Sequence, residues 1–222
     1  MTRKQTDVKV PCDTNILNPT QQNTPLNFRR SCDFRMQEFI KHPHPSEFHS
    51  SSEFYHAALL ESDQAVSTFT PQPCQLLING KRYIPDIFYI KDHIRYVGEI
   101  KPDGKIDTEK AVLLKQFFLK YAIHFIVITN ESIQEKKIEA LNWLTIVRHL
   151  LNNRNLDTQT AEMAVFDQIT VQGGFRMGEL VDVGDRESTI YTEAAIYQLL
   201  YTGLIKTNLT SRYLDFDSEL SC

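Results

Sequence analysis

The sequence predicts an α/β fold, a mixed sheet flanked by helices, followed by a small and mainly helical domain. Three observations predict it. Strand-type runs bounded by turn residues crowd residues 66–101. A helix–strand–helix alternation follows over 107–151, and strands giving way to such an alternation argue for helices packed on a mixed sheet. Beyond the polar break Asn152-Asn153-Arg154-Asn155, the apolar spacing is helical over 158–169, 176–182 and 192–203.

Residues 1–27 are rich in Asn, Thr, Gln and Pro without a hydrophobic period, which predicts a flexible tail or an arm that orders on a partner. Residues 28–41 mix Arg29, Arg30 and Arg35 with aromatics. They read either as a surface segment packed by its phenylalanines or as an arm that contacts phosphates. Ser50, Ser51 and Ser52 precede a helix-forming run over 53–60 and are N-cap candidates. On that helix Glu53, Ala57 and Leu60 share one face, so the Glu53 carboxylate looks inward and needs a cation or hydrogen-bond donors.

Residues 66–70 form a first strand. Residues 75–78 and 81–84 flank Asn79-Gly80, the pattern of a hairpin with a two-residue turn. Pro85 cannot donate to a ladder and marks the start of the strand at 87–90. Lys91-Asp92-His93 makes a turn into the strand 94–101, which Pro102-Asp103-Gly104 stops. A helix over 107–121 carries Ala111, Leu114, Phe117, Phe118 and Tyr121 on helical steps, capped by Asp107 or Thr108. The nearly continuous apolar run 124–129 predicts a strand buried on both faces, with His124 a core histidine. Ile138, Leu141, Leu144 and Arg148 place another helix over 135–151. The first folded domain is thus expected over 28–151. The second, over 156–210, has three small helices and a strand-like end at 204–210, the outline of a winged helix-turn-helix. Residues 211–222 read as an acidic tail carrying Asp215, Asp217 and Glu219.

Composition narrows the class. With 41% hydrophobic residues but only 8 Gly and 9 Pro, disordered, collagen-like and low-complexity chains are excluded. No apolar run approaches the ~18 residues of a membrane span, and residues 1–7 lack the apolar core of a signal peptide. A cytoplasmic protein is expected. Cys12, Cys32, Cys74 and Cys222 are widely spaced without a C-x-x-C, which fits free thiols rather than a zinc site or disulfide framework. His42, His44, His49 and Glu47 lie close together, but the prolines among them predict an irregular loop without helical metal spacing. Gly173-Gly174 reads as an interhelical turn, since no G-K-[ST] follows.

The net charge of −4 conceals a gradient: residues 1–50 sum to +2, 51–155 to +1, and 156–222, with 4 basic against 11 acidic side chains, to −7. The first two thirds can meet a polyanion through local patches, while the last third repels DNA phosphates on average. The helical domain is therefore expected to dock a protein. A basic patch confined to Arg176, Arg186, Lys206 and Arg212 would be the counter-case.

The candidate chemistry lies in Asp86, Glu99 and Lys101, with Glu53. Glu99 and Lys101 are two apart on one strand and point to the same face. Asp86 opens the neighbouring strand 13 residues earlier, so a hairpin brings it beside Glu99, and Glu53 can join from its helix. Clustered carboxylates repel unless a divalent cation sits among them, and Mg²⁺ takes oxygen ligands while keeping waters. An ammonium beside such a centre offsets charge developing on a phosphoryl group. This is the PD-(D/E)XK nuclease constellation; a capping aspartate plus a surface Glu–Lys pair is the alternative for the same residues.

The motifs also resemble a family. Ser51-Ser52-Glu53 through Leu60-Glu61-Ser62, then Phe69-Thr70-Pro71-Gln72-Pro73, Tyr83-Ile84-Pro85-Asp86-Ile87-Phe88 and Val97-Gly98-Glu99-Ile100-Lys101-Pro102 are similar, in order and spacing, to TnsA. TnsA is the endonuclease subunit of heteromeric cut-and-paste transposases of the Tn-seven type. Ile87 stands where Phe often follows the aspartate. The resemblance is strong over 28–150 and weaker through Asn142-Trp143-Leu144 and the C-terminal domain.

The resemblance implies a restriction-endonuclease-like fold that hydrolyses DNA at the 5′ ends of a transposon. It also implies a TnsB-like DDE transposase cutting the 3′ ends, and a TnsC-like AAA+ ATPase regulator engaged by the C-terminal domain. Glu53, Asp86 and Lys101 fall on the family's catalytic positions and Glu99 on a metal-site position. Asp86, Glu99 and Glu53 would hold Mg²⁺, with Mn²⁺ as substitute, in a bacterial cytoplasm. Gln72 would tune the site or contact the DNA backbone, or is a turn residue. Two other readings are a free-standing PD-(D/E)XK restriction or repair nuclease and a non-catalytic assembly scaffold. All four site residues are present, which argues against the scaffold.

Overall fold

Two tight turns organise the first part of the chain. Asn79-Gly80 and Asp92-His93 both have positive φ at their two central residues, the twist a two-residue hairpin needs. The computed structural model describes residues 8–11, 15–105, 107–182 and 184–222, so Cys12 and residues 1–7 lie outside the described residues. The chain divides into two units, residues 1–135 and 136–222.

The first unit is mixed α/β. Its elements run β1 (Val8–Lys9), α1 (Leu26–Arg29), β2 (Arg35–Gln37), β3 (Ser46–Phe48), α2 (Ser51–Ser62), β4 (Val66–Pro71), β5 (Leu76–Ile78) and β6 (Lys81–Tyr83). They continue with β7 (Ile87–Lys91), β8 (Ile94–Lys101), α3 (Thr108–Leu119), β9 (Ile123–Thr129) and α4 (Asn130–Gln134). The principal sheet has the order β4-β7-β8-β9; β4, β7 and β8 are antiparallel and β9 runs parallel to β8. A parallel neighbour requires a crossover, and α3 supplies it. Two small antiparallel sheets, β1-β5-β6 and β2-β3, complete the unit.

The core beneath α3 gathers Leu76, Phe88, Val97, Leu114, Phe118, Ile123 and Phe125. Phe118 is fully buried and stacks on Phe125 with ring centroids 6.0 Å apart. Burying such a side chain contributes about 1.5–3 kcal/mol. At the sheet's centre, Gly98 pairs with Ile87 on one side and Ile126 on the other. A Cβ there would lie 2.9 Å from Ile87 Cγ2 and 3.0 Å from Ile128 Cδ1, so only glycine fits without displacing a strand.

The second unit consists of α5 (Lys137–Asn152), α6 (Gln159–Gln172), β10 (Phe175–Arg176), α7 (Met177–Leu180), α8 (Ile190–Thr202) and β11 (Glu219–Leu220). Helix α8 is its centre: Ala195, Ile196, Leu199 and Leu200 are buried, and Gly203 closes the helix in the left-handed conformation. Strands β10 and β11 pair antiparallel, and an isolated bridge joins Lys206 to Ser221 on the other side of the β11 segment.

Five expectations change. The helix at 135–151 groups with the second unit, so the first does not extend to 151; the apolar face of α5 packs on α8. The segment at 1–27 is not wholly a free tail. Val8 and Lys9 pair with Ile78 and Leu77, and Ile16 is buried in the core, because scattered apolar residues here find an existing sheet edge rather than a period of their own. The run at 124–129 is not buried on both faces. It forms the edge strand β9, with His124 exposed and set against the Tyr96 ring. The strand expected at 204–210 reduces to the Lys206 bridge. The acidic tail at 211–222 is built in: Leu220 is buried and β11 pairs with β10, its apolar side chains outweighing the flanking charges. Among the described residues, no helix is long and apolar enough to cross a membrane.

Candidate functional site

Helix α2 positions the first carboxylate. Ser50 is its N-cap, and its Oγ accepts from the Glu53 backbone N–H at 3.2 Å. The Glu53 carboxylate in turn accepts from Ser50 Oγ at 3.0 Å and from the His49 N–H at 3.0 Å, so it closes back on the helix start. As the helical period requires, Glu53 is buried with Ala57 and Leu60. A third donor, Gln72 Nε2, reaches Glu53 at 2.8 Å. The carboxylate is therefore oriented by three donors, which offset the cost of burying it.

Gln72 is both a turn residue and a site residue. It follows β4 at φ 39°, an uncommon conformation for a non-glycine residue, and is almost wholly buried. Its side-chain oxygen accepts from Gln21 Nε2 at 2.9 Å, and its own N–H donates to the Asp86 carbonyl at 3.0 Å. One residue thus ties the Glu53 helix, the N-terminal segment and the start of β7 together.

The β7–β8 hairpin places Asp86 beside Glu99, as its length requires. The Asp86 N–H donates to the Gly98 carbonyl, and Asp86 Oδ2 accepts from the Ile100 N–H at 2.6 Å. Lys101 Nζ lies 3.0 Å from Glu99 Oε1 and 3.8 Å from Asp86 Oδ2. Burial, then the charges of Glu99 and Glu53, push the Asp86 carboxyl up to about 7; Lys101 and the Ile100 N–H oppose this. At Lys101 burial works against the charge, yet Asp86 and Glu99 together hold the ammonium above its usual value.

Two residues that sequence reasoning missed complete the arrangement. The Tyr83 hydroxyl donates to Glu99 Oε2 at 2.5 Å, and its own ionisation is strongly suppressed by burial and by that carboxylate. Lys110, from the first turn of α3, stands 3.7 Å from Glu99 Oε1 and over the Tyr83 ring at 4.0 Å. Tyr83 lay within a recognisable motif but had no assigned role. Lys110 carried no local signal, since only the crossover returns α3 to the strand ends.

Access divides the cluster. Glu53, Gln72 and Asp86 line a cleft of about 440 Å³ with Arg82, Thr24 and Phe28. Glu99 and Lys101 line a separate, small pocket with Lys105 and Lys110. Asp86 joins the two sides. The arginines expected to reach phosphates differ among themselves. Arg29 is spent on Glu47 and the Thr24 carbonyl, and Arg35 on Asp33, while Arg30 is exposed. His42 is buried against Ser46 Oγ at 2.7 Å, and His49 meets Thr24 Oγ1 at 2.8 Å.

A divalent cation is compatible with this donor set. Among the described residues, no three His, Cys, Asp or Glu side chains form a ready-made cage. Mg²⁺ needs none, because it is commonly held by one or two carboxylates with waters and substrate phosphates. The all-oxygen donors and the suppressed ionisation of Asp86 are what a cation would satisfy and relieve. No protein-family model and no curated protein matches this chain.

Proposed function

We propose that this chain is a Mg²⁺-dependent DNA endonuclease, the TnsA-like subunit of a cut-and-paste transposase that hydrolyses the strand at the transposon's 5′ ends. One observation carries the reading: a half-buried Asp86 whose ionisation is resisted by desolvation and by Glu99 and Glu53 while Lys101 stands within 3.8 Å of it. Structural ion pairs normally ease ionisation of their carboxylate, whereas strained carboxylates cluster at working sites. In this reading the first unit is a restriction-endonuclease-like core and the second a winged-helix-like domain. A TnsB-like DDE transposase and a TnsC-like AAA+ regulator are its partners in a bacterial cytoplasm.

Asp86 and Glu99 would hold the metal, with Glu53 facing it from the cleft; when bound, Mg²⁺ neutralises phosphate charge and makes water more acidic. Lys101, half-exposed beside both carboxylates, orients a water and faces the charge that develops on the phosphoryl oxygens. Gln72 holds Glu53 in place. Tyr83 and Lys110 keep Glu99 turned toward Lys101. The three-donor capping of Glu53 also favours a second reading, a non-catalytic scaffold in which that glutamate serves only the helix.

Strand-specific cleavage of a labelled transposon-end duplex in Mg²⁺ separates them, with the cognate transposase and ATPase present. Partner-dependent cutting of the 5′ strand that disappears in Asp86→Ala is expected. Equal behaviour of wild type and Asp86→Ala would leave only the scaffold. Cutting of arbitrary DNA by the protein alone would identify a free-standing nuclease.

A further inference from the structure

The second unit carries 8 basic and 12 acidic side chains, yet its cations are not spread evenly. Between residues 156 and 222 there are four: Arg176, Arg186, Lys206 and Arg212. Arg186 is committed to the buried Glu193 through two guanidinium nitrogens and lies over the Phe216 ring. The other three line a single open cleft of about 580 Å³. All three are exposed, and among the described residues none has an ion-pair partner.

The fold gathers them from separate parts of the chain. Arg176 ends β10 and faces Glu219 across the β10–β11 ladder. Lys206 is held beside β11 by its backbone bonds to Ser221, at 2.6 and 3.0 Å. Arg212 is fixed through its carbonyl, which accepts from the buried Asn142 Nδ2 at 2.7 Å. Two carboxylates share the cleft. Glu179 already accepts from the Arg176 N–H at 2.8 Å, and Glu219 is the cross-strand neighbour. The cleft is thus locally positive within a unit whose net charge is negative.

Exposed cations repel one another only weakly but gain nothing from proximity, so their convergence is best used on an anion. Two guanidinium forks, an ammonium and the Thr207 hydroxyl form the donor set that contacts phosphate oxygens without reading bases. We propose that this cleft binds backbone phosphates of DNA, giving the second unit a DNA contact of its own. The phosphate chemistry stands on the cleft alone; DNA as the carrier rests on the nuclease reading above. The surrounding acidity confines the contact to these three side chains, so the cleft holds a duplex already delivered and does not attract one from a distance.

The test is binding of a short fluorescent duplex by the full chain in EDTA, where no cleavage complicates the signal. Wild type, Lys206→Gln and the triple variant Arg176→Gln/Lys206→Gln/Arg212→Gln are titrated between about 50 and about 200 mM salt. The triple variant is expected to bind on the order of tenfold more weakly and to lose about 2–3 from the slope of log affinity against log salt. Lys206→Gln alone should lose about 0.9 of slope, which keeps the test open if the triple variant unfolds. Unchanged affinity and slope in the triple variant, or in Lys206→Gln where only that variant folds, would overturn the proposal. So would displacement of wild-type binding by poly-glutamate or inorganic phosphate with the duplex insensitive to the substitutions, which would assign the cleft to an acidic protein segment or a free anion. Loss of cleavage in Asp86→Ala says nothing about this cleft, so the two readings fail independently.

Discussion

The two units invert their own charge balance. Residues 1–135 carry 16 basic and 16 acidic side chains, yet the fold presses Glu53, Asp86 and Glu99 into one neighbourhood. Residues 136–222 are net negative, yet three of their cations meet at one cleft. The difference between them is burial. Glu53 and Glu99 are buried and Asp86 is half-buried, and all three carry hydrogen bonds, so their repulsion is strong and must be held in place. The cations of the second are exposed and weakly coupled, so their proximity costs little. Net charge describes the average field and says almost nothing about a site of three side chains.

The largest expected effect breaks the first half of that comparison. Asp86→Asn keeps an oxygen for the Ile100 N–H but removes the crowded charge. Cleavage should fall by roughly 10³-fold or more, the scale seen when a key electrostatic group is lost. The fold should gain of the order of 1 kcal/mol at pH 8, because a carboxyl held above its usual value opposes folding once it ionises. A thermal melt beside the cleavage assay reads both. Activity and stability both falling would show that Asp86 is a structural anchor.

The counterpart in the second unit is Asn142→Ala. Asn142 is buried, donates to the carbonyls of Leu209 and Arg212, and accepts from the Leu214 N–H at 2.8 Å. Its loss orphans three backbone groups and should cost about 3 kcal/mol, measured by denaturant unfolding. With Arg212 released, the salt dependence of duplex binding should shrink as well. A stable variant with unaltered binding would show that the cleft does not depend on this anchor.

A smaller effect sharpens the picture of how the first site is held. Gly98→Ala places a methyl against Ile87 and Ile128 and should cost about 1–3 kcal/mol in the same unfolding measurement. Because Asp86 hangs on the Gly98 carbonyl, cleavage should drop further than the stability loss alone explains.

A pH dependence confined to the first unit, without effect near neutral pH, completes the set. Burial, and secondarily the neighbouring His44, press the His42 imidazole down to about 4. The unfolded chain takes up that proton near the ordinary value of 6.5 and the folded chain does not. Stability from this residue is therefore complete above 6.5 and is lost as pH falls toward 4. His42→Gln should flatten the melting temperature over that window, and an unchanged slope would remove His42 as its source.

What the sequence determined by itself is local. The spacing Glu53, Ala57, Leu60 fixed which way the carboxylate looks. Asn79-Gly80 set a turn, Asp107 capped α3, and the two-residue step from Glu99 to Lys101 put both side chains on one face. These follow from helical and strand periods, which a linear chain carries with it. The reach of Asp86 to Glu99 was also legible, because one hairpin separates them. Only the tertiary structure decided the rest. Lys110 meets Glu99 because a crossover helix returns to the strand ends, and β9 is half-exposed because it became an edge. Residues 1–27 and 211–222 read as tails because their scattered apolar residues have no period of their own, yet Val8, Lys9, Glu219 and Leu220 pair with strands that other segments build. Arg176, Lys206 and Arg212 are spread over 37 positions and converge through one ladder, one bridge and one buried asparagine. Contacts between segments distant in sequence depend on which surfaces meet, and no local period encodes that.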